Sequence, residues 1–563
     1  MSNINRRSFM KQSALSSVSA ALVLENSSAA PIILTNSKAE RVTTNGELIF
    51  RPYFIPKGPK PRWFEGSYAT DPDWDAFYAG IRGDAQAVRI FDTKGKKKFG
   101  INVRWEVEPF GYLYLTADHG GEFYELPPAG RSTTLNLNLE LAESRVSRNR
   151  KRVNLFQQQG WKPSRETQAF VGLSEGYLED ARKALPDNET CAQLAQKSLL
   201  YALWASEKME LEKAQFDIRR RGYRPGFFFG CDARAYFQMN VQLFLSRFTE
   251  LFNYATITHY LEGGFIDNFE PTPGQERFAL RTALFNDLRA RNITVEGRPI
   301  LYFYRTTTPE WLKQMKYSEL LKFVEKHARS LVSHYGDGMH AWEVVNELHD
   351  WSNECQLNPE QTIEVTRLAC EVARDTNPRV LRLINNCCLF GEYVQTRKWG
   401  ELEAKYPQRT PFQFVRQLIE AGVDFNITGI QLYFPDRDLA DIALIVEKFA
   451  SLGKPMYVTE IGVSSGPTKL SVESGRLELP TGLYAWHRPW DENLQAEWTE
   501  DLYTLAYSKP DIHAISWYDF VDPYSWVPNG GLLASPDGTR KEVFRRLAKL
   551  QEQWKRLPGR GKN

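Results

Sequence analysis

Two glutamates, Glu347 and Glu460, are the residues of this chain best placed to do chemistry. Glu347 closes Ala341-Trp342-Glu343-Val344-Val345-Asn346-Glu347, and Glu460 closes Pro455-Met456-Tyr457-Val458-Thr459-Glu460. Each run is short, apolar and rich in β-branched and aromatic residues, which reads as a buried parallel strand. A carboxylate at the C-terminal end of such a strand lies where (β/α)8 barrels place their catalytic groups. Two carboxylates facing one sugar from opposite sides are the minimal equipment for glycoside hydrolysis, one as acid/base and one as nucleophile. Taken singly, either glutamate could equally be a helix N-terminal residue favoured by the helix dipole, so the elements around them decide.

Those elements alternate. From residue 225 onward, strand-like runs at 227–231, 251–256, 300–305, 342–346, 380–385, 427–434, 456–460 and 514–520 are each followed by a helical segment. The segments lie at 235–249, 276–291, 317–335, 359–376, 410–421, 438–451, 491–508 and 540–556. Eight such pairs predict a (β/α)8 TIM barrel over 225–556. A doubly wound open sheet is the rival, but no glycine-rich phosphate loop follows the first strand.

Ahead of the barrel, residues 41–165 read as β structure. Short runs are punctuated by Gly and Pro, and Asn136 to Leu141 alternates strictly between polar and apolar. An N-terminal β-sandwich-like domain is expected there. By analogy it could bind carbohydrate, with Trp63, Trp74 and Trp105 as stacking platforms or, in the competing reading, as core. Residues 174–218 shift to helical period and predict a helical linker.

Length and composition agree with a multidomain globular protein. The chain has 563 residues, 25% charged and 42% hydrophobic, with a net charge of +2. That balance gives no electrostatic case for nucleic acid or an anionic membrane as partner. The six cysteines and eight histidines show no metal-ligand spacing, so neither a metal nor another cofactor is indicated. Cys387 and Cys388 are adjacent, a poor geometry for a mutual disulfide, and no disulfide framework is expected. The first 30 residues have the layout of an export signal: Asn5-Arg6-Arg7-Ser8-Phe9-Met10-Lys11 resembles the twin-arginine motif, and a short apolar stretch and small residues follow. That predicts a periplasmic or secreted protein with no permanent membrane span, and a monomer is expected.

The barrel resembles glycoside hydrolase family 10, the retaining endo-1,4-β-xylanases. Trp342-Glu343-Val344-Val345-Asn346-Glu347 resembles the family's fourth-strand acid/base motif, and Tyr457-Val458-Thr459-Glu460 its seventh-strand nucleophile motif. Leu383-Ile384-Asn385-Asn386 and Gly429-Ile430-Gln431 resemble the fifth and sixth strand ends. Trp517, Tyr524-Ser525-Trp526 and Gly530-Gly531-Leu532-Leu533 resemble the eighth-strand tryptophan loop. The resemblance implies Glu347 as acid/base, Glu460 as nucleophile and Asn346 on the sugar 2-hydroxyl. It also implies Trp517 and Trp526 as floor and wall of the cleavage site, with Gln431 and Tyr433 orienting Glu460. Three departures bear on substrate. Arg305 stands where the third-strand histidine is expected. His259 and Glu262 stand for a second-strand asparagine and lysine, and Tyr433 stands for a histidine after the sixth strand. The expected partner is therefore a polysaccharide or oligosaccharide, xylan or a decorated or acidic relative of it. Two alternatives stay open: a retaining β-glycosidase of the same clan acting on another β-glycan, and a non-catalytic carbohydrate-binding barrel.

Overall fold

The structure is a computed structural model and describes residues 46–56, 63–263, 266–399, 402–433, 436–466 and 486–558. The export-signal segment lies outside the described residues. The chain divides into two compact units, with the boundary between Ser206 and Glu207.

Among its described residues the N-terminal unit holds eight strands: β1 (Glu47–Arg51), β2 (Tyr68–Thr70), β3 (Ala76–Phe77), β4 (Gly80–Gly83), β5 (Val88–Asp92), β6 (Gly100–Val107), β7 (Gly111–Ala117) and β8 (Ser132–Asn136). They form two four-stranded sheets, ordered β4-β5-β1-β8 and β3-β2-β6-β7. Helices α1 (Leu137–Gln158), α2 (Arg165–Lys183) and α3 (Asn188–Arg221) follow, α3 running past the boundary. Leu48, Val88 and Ile90 from one sheet share a core with Ile101, Val103 and Leu115 from the other and with Leu137, Leu141, Leu178 and Leu199 from the helices.

Two expectations are corrected here. Residues 137–141 are helix rather than strand, because Asn136 caps α1 by accepting from Leu139 N and the alternating leucines also satisfy the i, i+4 spacing of a buried helical face. Residues 174–206 are not a linker, since their apolar side chains complete the core of this unit. Trp63 and Trp105 are buried there, with ring centroids 5.6 Å apart, and the Arg148 guanidinium covers Trp74 at 4.8 Å. Trp63 and Trp105 therefore take the core reading, whereas Trp74 is half-buried beneath that guanidinium.

The C-terminal unit is a closed parallel barrel. Its strands are β9 (Phe228–Asp232), β10 (Tyr254–Thr258), β11 (Thr294–Arg298) with its extension β12 (Leu301–Tyr302), β13 (Ala341–Asn346) and β14 (Leu381–Asn386). A ribbon of β15 (Lys398–Trp399) and β16 (Leu402–Glu403) precedes β17 (Ile427–Leu432), β18 (Met456–Ile461) and β19 (Ile512–Trp517). Pairing of β11 with β13 and of β19 with β9 closes the ring. The helices are α4 (Val241–Leu251), α5 (Ala279–Arg289), the one-turn α6 (Glu310–Lys313), α7 (Tyr317–Tyr335), α8 (Pro359–Thr376), α9 (Pro411–Glu420), α10 (Leu439–Ala450), α11 (Glu492–Ser508) and α12 (Glu542–Lys555). Local sequence starts several of them: Asn358-Pro359 and Thr410-Pro411 each form a capping box with a glutamine three residues after the cap. No helix among the described residues is long and apolar enough to cross a membrane.

The third strand is the one barrel strand the pattern misplaces. It begins at Thr294, not residue 300, and Pro299 separates it from β12. Gly297 is required there: a Cβ would meet the Trp342 ring of β13 at 2.4 Å. Inward-facing residues alternate along each strand. Tyr254, Leu383, Ile427, Tyr457 and Ala514 make an apolar layer within the barrel. Toward the C-terminal strand ends the inward positions turn polar and charged.

Candidate active site

Both glutamates sit at those strand ends, Glu347 just past β13 and Glu460 within β18, at 8% and 6% exposure. A register shift places Glu460 opposite Gln431 while Val458 stays opposite Ile430. The extra residue lets two successive side chains work inward: Thr459 donates to Asn385 Oδ1 at 2.6 Å, and Glu460 joins the charged centre. Glu347 adopts a left-handed backbone, φ 55°, which typically costs about 1–3 kcal/mol for a non-glycine residue. Two backbone bonds hold it, Glu347 N to Asn385 O at 3.0 Å and Ser352 N to Glu347 O at 3.2 Å.

The two carboxylates have contrasting partners. Arg298 Nη2 pairs with Glu460 Oε1, Asn385 Nδ2 donates to the same oxygen at 3.4 Å, and Tyr433 Oη donates to Oε2 at 2.9 Å. Glu460 is thereby held by a full positive charge. Among the described residues Glu347 has only neutral donors: Tyr302 Oη to Oε2 at 2.7 Å, Gln431 Nε2 to Oε1 at 2.9 Å and Ser352 Oγ to Oε2 at 3.3 Å. Burial, then the negative charge of Glu460, push the Glu347 carboxyl above its ordinary range, and the bonds from Gln431 and Tyr302 only partly oppose that. One carboxylate thus faces a guanidinium, while the other is buried among neutral donors with its pKa raised.

Further buried polar groups frame the pair. Glu343 lies 3.6 Å from Arg298 Nε and accepts from Asn385 Nδ2 at 3.0 Å. Asn346 Oδ1 accepts from Asn385 at 3.1 Å and Gln431 at 3.5 Å, which fixes its amide beside the pair. At the ends of β9 and β19, Arg234 pairs with Asp519 and lies 3.6 Å from Asp232, with its guanidinium over the Tyr518 ring. Tyr260 packs at 5.6 Å on Tyr302, which stacks at 5.7 Å on Tyr304.

The structure thus brings together Glu347, Glu460, Asn346, Gln431 and Tyr433. Gln431 orients Glu347, not Glu460 as expected, because Tyr433, two residues on, occupies the other carboxylate. His259 lies outside the barrel interior. It is 1% exposed, its ring bonds Ile257 O at 2.9 Å and Tyr335 Oη at 2.8 Å, and it packs on Trp342. The strand period explains this, since Thr258 and Tyr260 take the inward positions of β10. Glu262 is exposed in the following loop. Arg305 is half-buried in the turn after β12, where Thr307 N and Thr308 N both bond Tyr304 O at 3.0 Å. Trp517 offers no face to a ligand: it is 0% exposed and its indole donates to Gly530 O at 2.9 Å, anchoring the loop that carries Trp526. Trp526 is half-buried, its backbone N–H bonded to Asp519 Oδ2. Sequence reading missed Arg298, Tyr302, Tyr260, Glu343 and the Arg234–Asp519 pair. Thr294, Glu296 and Arg298 do carry a period-two polar signal, the mark of a strand with a polar inward face.

A closed (β/α)8 barrel with two buried, differently partnered glutamates at the ends of its fourth and seventh strands defines a class of carboxylate-pair hydrolases. Residues 264–550 match the model of glycosyl hydrolase family 10, and the chain belongs to that family. Endo-1,4-beta-xylanase B of Thermotoga neapolitana is 27% identical over 268 residues, 46% of this chain and 66% of that protein. Endo-1,4-beta-xylanase A of Caldicellulosiruptor saccharolyticus is 24% identical over 308 residues, 50% of this chain and 80% of that protein. Among solved structures, native xylanase 10B from Thermotoga maritima aligns with a TM-score of 0.44 at 17% identity, over 61% of this chain and 98% of that one.

The hydrogen bonds on Glu347 give a prediction. The Tyr302 hydroxyl favours the ionised carboxylate, so removing it raises the Glu347 pKa further. The alkaline limb of kcat/KM, which reports loss of the acid's proton, is expected to move to higher pH in Tyr302→Phe. A pH–rate profile on an activated aryl β-glycoside measures this, and an unmoved or lowered limb contradicts it.

Proposed function

We propose that this protein is a retaining β-glycosidase of the xylanase type that cleaves a β-1,4-linked polysaccharide by double displacement. The observation that carries the reading is the asymmetry of the pair: Glu460 is held by Arg298, while Glu347 is buried among neutral donors. Glu460 attacks the anomeric carbon as Glu347 gives its proton to the departing oxygen. Glu347 then takes a proton from water, which releases the sugar from Glu460. Asn346 donates to the sugar 2-hydroxyl, a bond that strengthens as positive charge grows on the ring. The stacked Tyr302 and Tyr304, with Trp526, offer apolar faces to the sugar chain.

Family membership and relatives named endo-1,4-beta-xylanases support xylan-type substrates. Activity is tested on a polysaccharide panel with product analysis, beside Glu460→Ala. The variant is expected to lose turnover, and azide is expected to restore part of it with product of inverted configuration. Near wild-type hydrolysis of an aryl β-glycoside by Glu460→Ala would contradict the nucleophile assignment. No hydrolysis by the wild type, with binding retained, would favour a carbohydrate-binding barrel.

Arg305 is proposed to set substrate choice, since a guanidinium fork suits a carboxylate or vicinal hydroxyls. Arg305→His is expected to shift the ratio of kcat/KM between plain and decorated xylan by about tenfold, equivalent to about 1.4 kcal/mol. A uniform loss on all substrates would assign Arg305 to the scaffold.

A further inference from the structure

The loop after β10 folds against α7 and brings Glu270, Glu276 and His327 together. One ligand atom from each lies within 4.8 Å of the other two. His327 Nδ1 is 3.2 Å from Glu270 Oε2 and 3.6 Å from Glu276 Oε1. His327 and Glu270 are 2% and 4% exposed; the imidazole lies within ion-pair reach of both carboxylates, but neither His327 Nδ1 nor Glu270 Oε2 completes a hydrogen bond of good geometry among the described residues.

The far side of each carboxylate is anchored. Gly274 N donates to Glu270 Oε1 at 2.7 Å, and Ser330 Oγ donates to Glu276 Oε2 at 2.5 Å. The inner oxygens are left turned toward the imidazole. Separations of 3.2 and 3.6 Å bracket the edge of about 3.3 Å that a tetrahedron has when metal–ligand bonds are about 2.0–2.1 Å long.

We propose that Glu270, Glu276 and His327 form a binding site for one divalent transition-metal ion of the zinc type, with water completing the coordination. An imidazole with two carboxylates suits such an ion better than calcium or magnesium, which take all-oxygen sets. A dication also balances two carboxylates in a largely buried place, where net charge is costly. Glu276 is half-exposed and gives the ion and its water a way in. The role is structural. The ion ties the loop to α7, and the same loop is bonded to the end of the second strand through Phe269 N to Tyr260 O at 2.9 Å. The inference is independent of the hydrolytic reading, and its test needs no substrate.

Tag-free full-length protein is dialysed against EDTA and titrated with ZnCl2, with CaCl2 as control, by calorimetry, metal analysis and thermal melting. One zinc per chain is expected, with a Tm several degrees above the stripped protein and no comparable effect of calcium. His327→Gln and Glu276→Gln are each expected to weaken zinc binding at least tenfold. Glu276, half-exposed and away from the glutamate pair, keeps the test readable if the His327 variant does not fold. Lack of stoichiometric zinc uptake by the wild type would overturn the proposal in favour of an imidazolium held between two carboxylates. Undiminished uptake by Glu276→Gln, or equal binding of calcium, would overturn it too.

Discussion

The Arg298 guanidinium, 1% exposed inside the barrel, is the group on which the surrounding charges depend. It lies between Glu343 and Glu460, and those carboxylates in turn keep it charged against the cost of burial. Removing one partner of such a buried pair typically costs about 3–5 kcal/mol, because the other is left uncompensated. One cation cannot balance Glu296, Glu343, Glu347 and Glu460 together. Burial acts against the remaining charge: it pushes Glu296 up to about 7 and raises Glu343 and Glu347 above the ordinary carboxylate range. Tyr254 Oη bonds Glu296 at 2.5 Å and helps hold that lower carboxyl in place. The raised pKa of Glu347 thus follows first from its burial and then from the charge of Glu460, while the Arg298 guanidinium lies beside the other glutamate.

Backbone geometry converts this charge arrangement into a site. The extra residue in β18 turns Thr459 and Glu460 inward together, and Asn385 ties both to Asn346 and Glu343. The left-handed turn at Glu347 aims its carboxyl at Tyr302 and Gln431. Tyr302 links the glutamate to the aromatic stack, since its hydroxyl holds Glu347 while its ring stacks on Tyr304. On the far side, the Arg234–Asp519 pair fixes the Trp526 backbone, and Trp517 anchors the rest of that loop.

Most of the barrel was legible because seven of its strands follow simple rules. Apolar β-branched runs mark β13, β14, β17, β18 and β19, and the helices at 317–335 and 359–376 fall where period and caps place them. The third strand escaped because its inward positions are charged. Glu296, Gly297, Arg298 and Pro299 look like a turn, so the strand was read from the next apolar run and Arg305 was credited with the place that Arg298 holds. His259 and Trp517 were misread for a related reason, since a shift of one residue along a strand exchanges the interior for the outer face. In the N-terminal unit, a leucine at every second position was read as strand, when Asn136 and the i, i+4 spacing of Leu137 and Leu141 make it helix. Glu347 and Glu460 were legible as carboxylates at two strand ends; their unequal partners were not, because Arg298, Tyr302 and Gln431 come from other strands.

The central claim is that Glu460 forms a covalent bond to the sugar. Incubation with 2,4-dinitrophenyl 2-deoxy-2-fluoro-β-xylobioside, followed by proteolysis and mass spectrometry, tests it directly. The fluorosugar slows both steps, and the good leaving group lets the ester accumulate. The account predicts a single fluoroxylobiosyl ester on the peptide containing Glu460, with loss of activity in step with labelling. A label on Glu343 or Glu347, or no label on protein that hydrolyses the parent aryl glycoside, would contradict it.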